Sequence, residues 1–196
     1  MAKSTKVQDK HNHTLPLSKL TMSALFTALI AVLAQLAIPV PFSPAPFTGQ
    51  VLGVFLAGSM LGKRAGLLSI TAYLLLGAAG APVFSLARGG VHMLTGPSGG
   101  YLWGFLPAVF IIGLFTEKTI RSSLVYNTFY MLTALIIIYA CGALQLGLIM
   151  GYSPYQAIIV GVVPFIPLDL IKVFLAANLS LQLKRKVSLN YASTFL

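Results

Sequence analysis

Between Leu124 and about Met150 the chain carries not one charged side chain. That run exceeds the roughly 20 residues a helix needs to cross a hydrocarbon core of about 30 Å. The solvent is therefore constrained before the fold is. With 57% hydrophobic and 8% charged residues and a mean hydropathy of +0.89, there is too little polar surface to clothe a water-soluble globule. Strand-like alternation is absent, so a barrel is not expected and the predicted class is an all-α integral membrane protein.

Six hydrophobic segments follow one another. The first runs from about Lys19 to Ile38 and stops at the proline-rich "PVPFSPAPF". Gln50 to Leu61 and Gly66 to Gly80 are short and flank "GKR". Tyr101 to Thr116, Leu124 to about Met150, and Tyr155 to Leu183 complete the set, the last interrupted at Pro164 and Pro167. The expected organisation is a polar cytoplasmic tail over 1–15, a six-helix transmembrane domain over 16–186 and a second cytoplasmic tail over 187–196. The first tail has no apolar core beside its lysines and does not read as a cleaved signal peptide.

Basic residues stay on the cytoplasmic side of short loops. Six crossings with N and C termini both cytoplasmic put Lys3, Lys6, Lys10 and Lys19, then Lys63 and Arg64, then Lys118 and Arg121, then Lys184, Arg185 and Lys186 on that side. Of the 13 basic residues this leaves Arg88, in the second outer loop, and Lys172. The net charge of +10 thus reads as anchoring at the inner leaflet, and no basic soluble face exists for nucleic acid. The lone cysteine, Cys141, lies in an apolar run and excludes a disulfide framework or a cysteine-rich metal site; neither metal nor cofactor is expected.

The acids are just Asp9, Glu117 and Asp169, and only the last falls within a membrane segment. At 1.5 Å per residue, Asp169 lies roughly 22 Å and Lys172 roughly 18 Å up the helix from Lys184. Charges near the centre of a spanning helix cost about 2.5–3.5 kcal/mol each, so they persist where they pair or face a wet cavity. Three residues apart, the two could simply neutralise each other on one helix face. Pro164 and Pro167 argue for more, because each removes a backbone donor and disturbs the preceding turn. Broken helices of this sort build solute sites in transporters.

Arg88, Asp169 and Lys172, with His92 as a possible fourth charge, suit a small solute bearing a carboxylate and N–H donors. Phe42, Phe47, Phe84, Tyr101, Trp103 and Phe105 supply aromatic walls, and Gln50 and Ser85 are further candidate ligand contacts. The uncharged loop "PVPFSPAPF" is either a stiff lid over such a pocket or an ordinary interfacial turn.

The stretch "GAPVFSLARGGVHMLTGPSGGYLWGF", with "PFTGQVLGVFLAGSMLG" before it and "VPFIPLDLIK" after it, resembles the BioY family over about 130 residues. That family comprises the biotin-specific substrate-capture (S) components of energy-coupling-factor (ECF) vitamin transporters. The resemblance implies a six-helix ECF S-component bundle in the plasma membrane that binds biotin near the outer face. It also implies ligand contact by Asp169 and Lys172, and partnership with a transmembrane coupling (T) subunit and two ATPase subunits. Arg88 is the candidate for biotin's carboxylate. One departure is Leu168, where the family pattern usually has glycine before the aspartate. On the first helix, Ala24 and Ala28 stand four apart beside Ser23 and Thr27. Small residues at that interval let helices approach closely in lipid. The family's alanine-xxx-alanine motif on this helix makes them the expected interface with the coupling subunit.

Two other readings compete. "GSMLGKR" is similar to a phosphate-binding loop, but three residues rather than four separate Gly58 from Gly62, and Arg64 replaces the hydroxyl residue. The chain is therefore not expected to be an ATPase. Gly96-Pro97-Ser98-Gly99 matches the G-x-S-G of rhomboid-like intramembrane serine proteases, with Ser98 as nucleophile. A serine needs a base in reach, and His92, the only histidine outside the tail, is six residues upstream in the same loop. A solitary secondary transporter is disfavoured by the single intramembrane acid and the lack of an inverted repeat.

Overall fold

A computed structural model describes residues 17–119 and 123–193, with side chains described to 184. The tail expected over 1–15 and the loop residue Arg121 lie outside the described residues, as do the side chains of Arg185 and Lys186. The chain is almost wholly helical: α1 (Leu17–Gln35), α2 (Gln50–Ala78), α3 (His92–Thr95), α4 (Gly99–Lys118), α5 (Leu124–Met150), α6 (Pro154–Gly161) and α7 (Ile166–Ser193). Strands β1 (Ala37–Ile38) and β2 (Phe47–Thr48) close the first loop as a two-stranded antiparallel hairpin, with Ala37 opposite Thr48 and Ile38 opposite Phe47.

Among the described residues five stretches are long and apolar enough to cross a membrane, and one of them, α2, reverses on itself, which makes six segments of five. Gly62 adopts φ 76° and ψ −178°, a left-handed turn that a side chain would resist. Gln50 Nε2 then donates to Tyr73 Oη at 2.6 Å. A continuous helix would hold those residues about 34 Å apart. The arms 50–61 and 63–78 are therefore the second and third segments, joined by a turn tighter than the "GKR" loop expected. Glu117 closes it by accepting from the Lys63 backbone N–H at 3.0 Å and pairing with the Lys63 ammonium at 3.2 Å.

Lipid supplies no hydrophobic force between helices, so close approach and hydrogen bonds hold the bundle. Ser23 and Thr27 on α1 donate to the Ala65 and Ser69 carbonyls on the second arm of α2, at 3.0 and 2.9 Å. α4 packs between α2 and α5, around a core of Phe55, Tyr73, Phe105, Ile112 and Ile138. The sixth crossing breaks where the prolines predict: α6 ends at Gly161, Val163–Phe165 forms a 3-10 turn, and α7 starts at Ile166. α7 continues past the marked end at Leu183 as far as Ser193, so the stretch assigned to the second tail begins as helix.

Candidate ligand-binding site

The break in the sixth crossing creates polar groups, and the site is built on them. Pro167 sits in the first turn of α7, where its missing N–H removes no helical bond. Asp169 occupies the same turn, so its charge meets the positive end of the helix dipole. The carbonyl of Gly161, freed as α6 ends, accepts from Tyr101 Oη at 2.6 Å.

Asp169 is only 4% exposed, and both carboxylate oxygens are engaged. Lys172 Nζ donates to Oδ1 at 2.6 Å, and Tyr139 Oη, from α5, donates to Oδ2 at 2.7 Å. Lys172 also donates to the Thr48 carbonyl at 2.6 Å, which ties the end of β2 to α7. An ammonium has three N–H bonds and each carboxylate oxygen two lone pairs. One Lys172 donor and further Asp169 acceptor capacity therefore stay available, side by side, to a ligand.

They face a cavity. Its lining includes Gln50, Phe84, Ser85, Tyr101, Asp169 and Lys172, which brings together six of the eight ligand contacts expected from sequence. Ala45 and Pro46 line it too, so the proline-rich first loop borders the space, and Phe47 packs against Phe165 with ring centroids 4.8 Å apart. Phe42 is exposed. The carboxylate–ammonium pair is thus largely buried and adjoins an open space.

The loop between α2 and α3 enters through strain. Leu86 and Ala87 both have positive φ, 60° and 53°. Such non-glycine conformations cost about 1–3 kcal/mol each and persist where the surroundings impose them. Gln35, at the end of α1, accepts from Ala87 N–H at 2.9 Å and donates to the Phe84 carbonyl at 3.2 Å. Tyr73 Oη donates to the Val83 carbonyl at 3.0 Å, and its ring meets Phe84 edge-on at 5.4 Å. So held, Phe84 and Ser85 are buried while the chain curls and leaves Arg88 exposed. Arg88 does not line the cavity, and neither does Trp103, whose indole donates to the Leu94 carbonyl at 3.1 Å. Ser98 lines it, whereas His92 is exposed and does not.

Tyr139, Thr48 and Phe165 carried no signal in the sequence. Tyr139 is one more aromatic in an apolar helix, Thr48 contributes only its backbone, and Phe165 is indistinguishable from its apolar neighbours. Away from the cavity, Ala24 and Ala28 are exposed on α1, while Ser23 and Thr27, each one residue before them, turn inward.

The chain matches the BioY family over residues 4–189. It is 44% identical to a "Biotin transporter BioY" of Thermotoga maritima over 167 residues, covering 85% of this chain and 96% of that one. A "Probable biotin transporter BioY" of Pyrococcus horikoshii is 41% identical over 79% of this chain and 88% of its own. Among solved structures, the S-component for biotin from an ECF-type ABC transporter superposes with a TM-score of 0.81 at 34% identity, over 86% of this chain and 91% of that one. These relatives are named as transporters and a transporter component. With the family match running almost from end to end, this chain belongs to the BioY family.

Proposed function

We propose that this protein is the biotin-capture subunit of an ECF-type transporter of the plasma membrane, with Asp169 and Lys172 as its polar ligand anchors. The observation that carries the reading is the Asp169–Lys172 pair facing an aromatic-walled cavity at a helix break. A carboxylate acceptor beside a cationic donor complements the ureido ring of biotin, which presents N–H donors next to a carbonyl oxygen. Hydrogen bonds to charged groups contribute about 1.5–3 kcal/mol each. Phe84, Phe105, Tyr101 and Phe165 line the cavity, apolar walls suited to the hydrocarbon part of the ligand. Gln50 and Ser85 add polar contacts, and Arg88 and Trp103 serve the cavity's approach.

In this reading the N and C termini are cytoplasmic and the cavity opens to the outside. The chain holds the ligand, and ATP hydrolysis belongs to two partner ATPase subunits. The coupling subunit docks on the α1 face carrying Ala24 and Ala28. Residues 1–15 and 187–196 flank the 16–186 membrane domain on the cytoplasmic side. Equilibrium binding of radiolabelled biotin to the purified protein tests the proposal, and a wild-type protein that retains no biotin overturns it.

A further inference from the structure

Tyr139 is the one residue that lines both the ligand cavity and a second, larger groove between α5, α6 and α7. Its hydroxyl is on the cavity side, 2.7 Å from Asp169 Oδ2. The groove is walled by Leu135, Ile136, Leu144, Ile158, Ile166 and Leu170 among others, and apart from Tyr139 its only hydroxyl side chain is Tyr152. If the Tyr139 hydroxyl were absent, little on that side could replace the donor that Oδ2 now has.

We propose that Tyr139 is a positioning residue that aims the Asp169 carboxylate at the ligand, and so sets how strictly the site demands an N–H donor. The inference rests on the biotin reading above. The last torsion of an aspartate side chain is broad, so a carboxylate held at one oxygen turns readily. Lys172 fixes Oδ1 alone, through an ammonium that itself rotates. A second tether on Oδ2, from a tyrosine on a different helix, fixes the carboxylate plane. The remaining lone pairs then point one way before the ligand arrives, and the ordering cost is not met at binding. An acceptor aimed in this way rejects a ligand whose N–H is blocked, because the blocking group meets the oxygen head-on. An untethered carboxylate turns aside and tolerates it.

The test is Tyr139→Phe, which removes one oxygen and keeps the ring. Affinities are measured for biotin and for the two analogues singly N-methylated on the ureido ring, alongside thermal unfolding of the unliganded protein. The expected result is about a tenfold loss of biotin affinity, and at least a threefold fall in discrimination against the methylated analogue that wild type rejects more strongly. Biotin affinity within twofold of wild type overturns the proposal. So does a loss shared equally by biotin and both analogues, which is what a purely packing role gives. Failure of wild type to bind biotin overturns the parent reading as well, whereas an unchanged variant beside a binding wild type overturns this inference alone.

Discussion

Lys63 meets Glu117 at 3.2 Å with side chains 34% and 40% exposed, and Lys172 meets Asp169 at 2.6 Å with side chains 18% and 5% exposed. The chemistry is the same at both places. Lys63 and Glu117 close the turn at Gly62, at the far end of α4 from the cavity, where solvent screens them. Such pairs contribute about 0–1 kcal/mol. Lys172 and Asp169 lie at a helix break, with Tyr139 and Thr48 completing their bonds. Removing one partner of a buried pair costs about 3–5 kcal/mol, because the other charge is left uncompensated. What separates a fold clasp from the proposed ligand anchor is the surroundings: one pair is partly exposed, the other faces a cavity with aromatic walls.

That contrast can be broken by substitution. The largest effect is expected for Lys172→Ala, which strands a buried carboxylate and releases the Thr48 carbonyl. Its biotin dissociation constant should rise more than a hundredfold, with a lower melting temperature, in binding and thermal-shift assays. Asp169→Asn preserves shape and the Tyr139 contact but loses the charge. A weakening of about a hundredfold or somewhat less is expected by radioligand binding, and unchanged affinity in both variants would remove the anchor assignment. Gly62→Ala sharpens the other side. A Cβ there would sit 2.5 Å from Glu117 Oε1 on a backbone of φ 76°, so roughly 1–2 kcal/mol of stability should be lost, read as a lower melting temperature. The smallest effect belongs to Glu117→Gln, at less than about 1 kcal/mol of stability and no change in biotin affinity. A threefold change in its binding would show that the two pairs are coupled and end the contrast.

The parts of the site legible in the sequence were those fixed by local composition. An acid and a lysine at i and i+3 after two prolines imply charge at a helix break whatever surrounds them. Gln50, Phe84, Ser85 and Tyr101 were legible from position near the same membrane face. Arg88 and Trp103 shared that position, but Leu86 and Ala87 turn the loop so that Ser85 faces in while Arg88 faces out. Side-chain direction there depends on bonds from Gln35 on another helix. No local pattern encodes them.

By itself the sequence determined that the chain lives in lipid, where the crossings fall and which carboxylate is buried among them, since each follows from transfer free energy summed along a segment. Only the tertiary structure decided that the turn between the two short segments falls at Gly62, that α5 lends Tyr139 to Asp169, and that Lys172 reaches back to Thr48. Those facts depend on the register between helices distant in sequence. Register is set by how closely backbones pack, a property of pairs of helices rather than of any one of them.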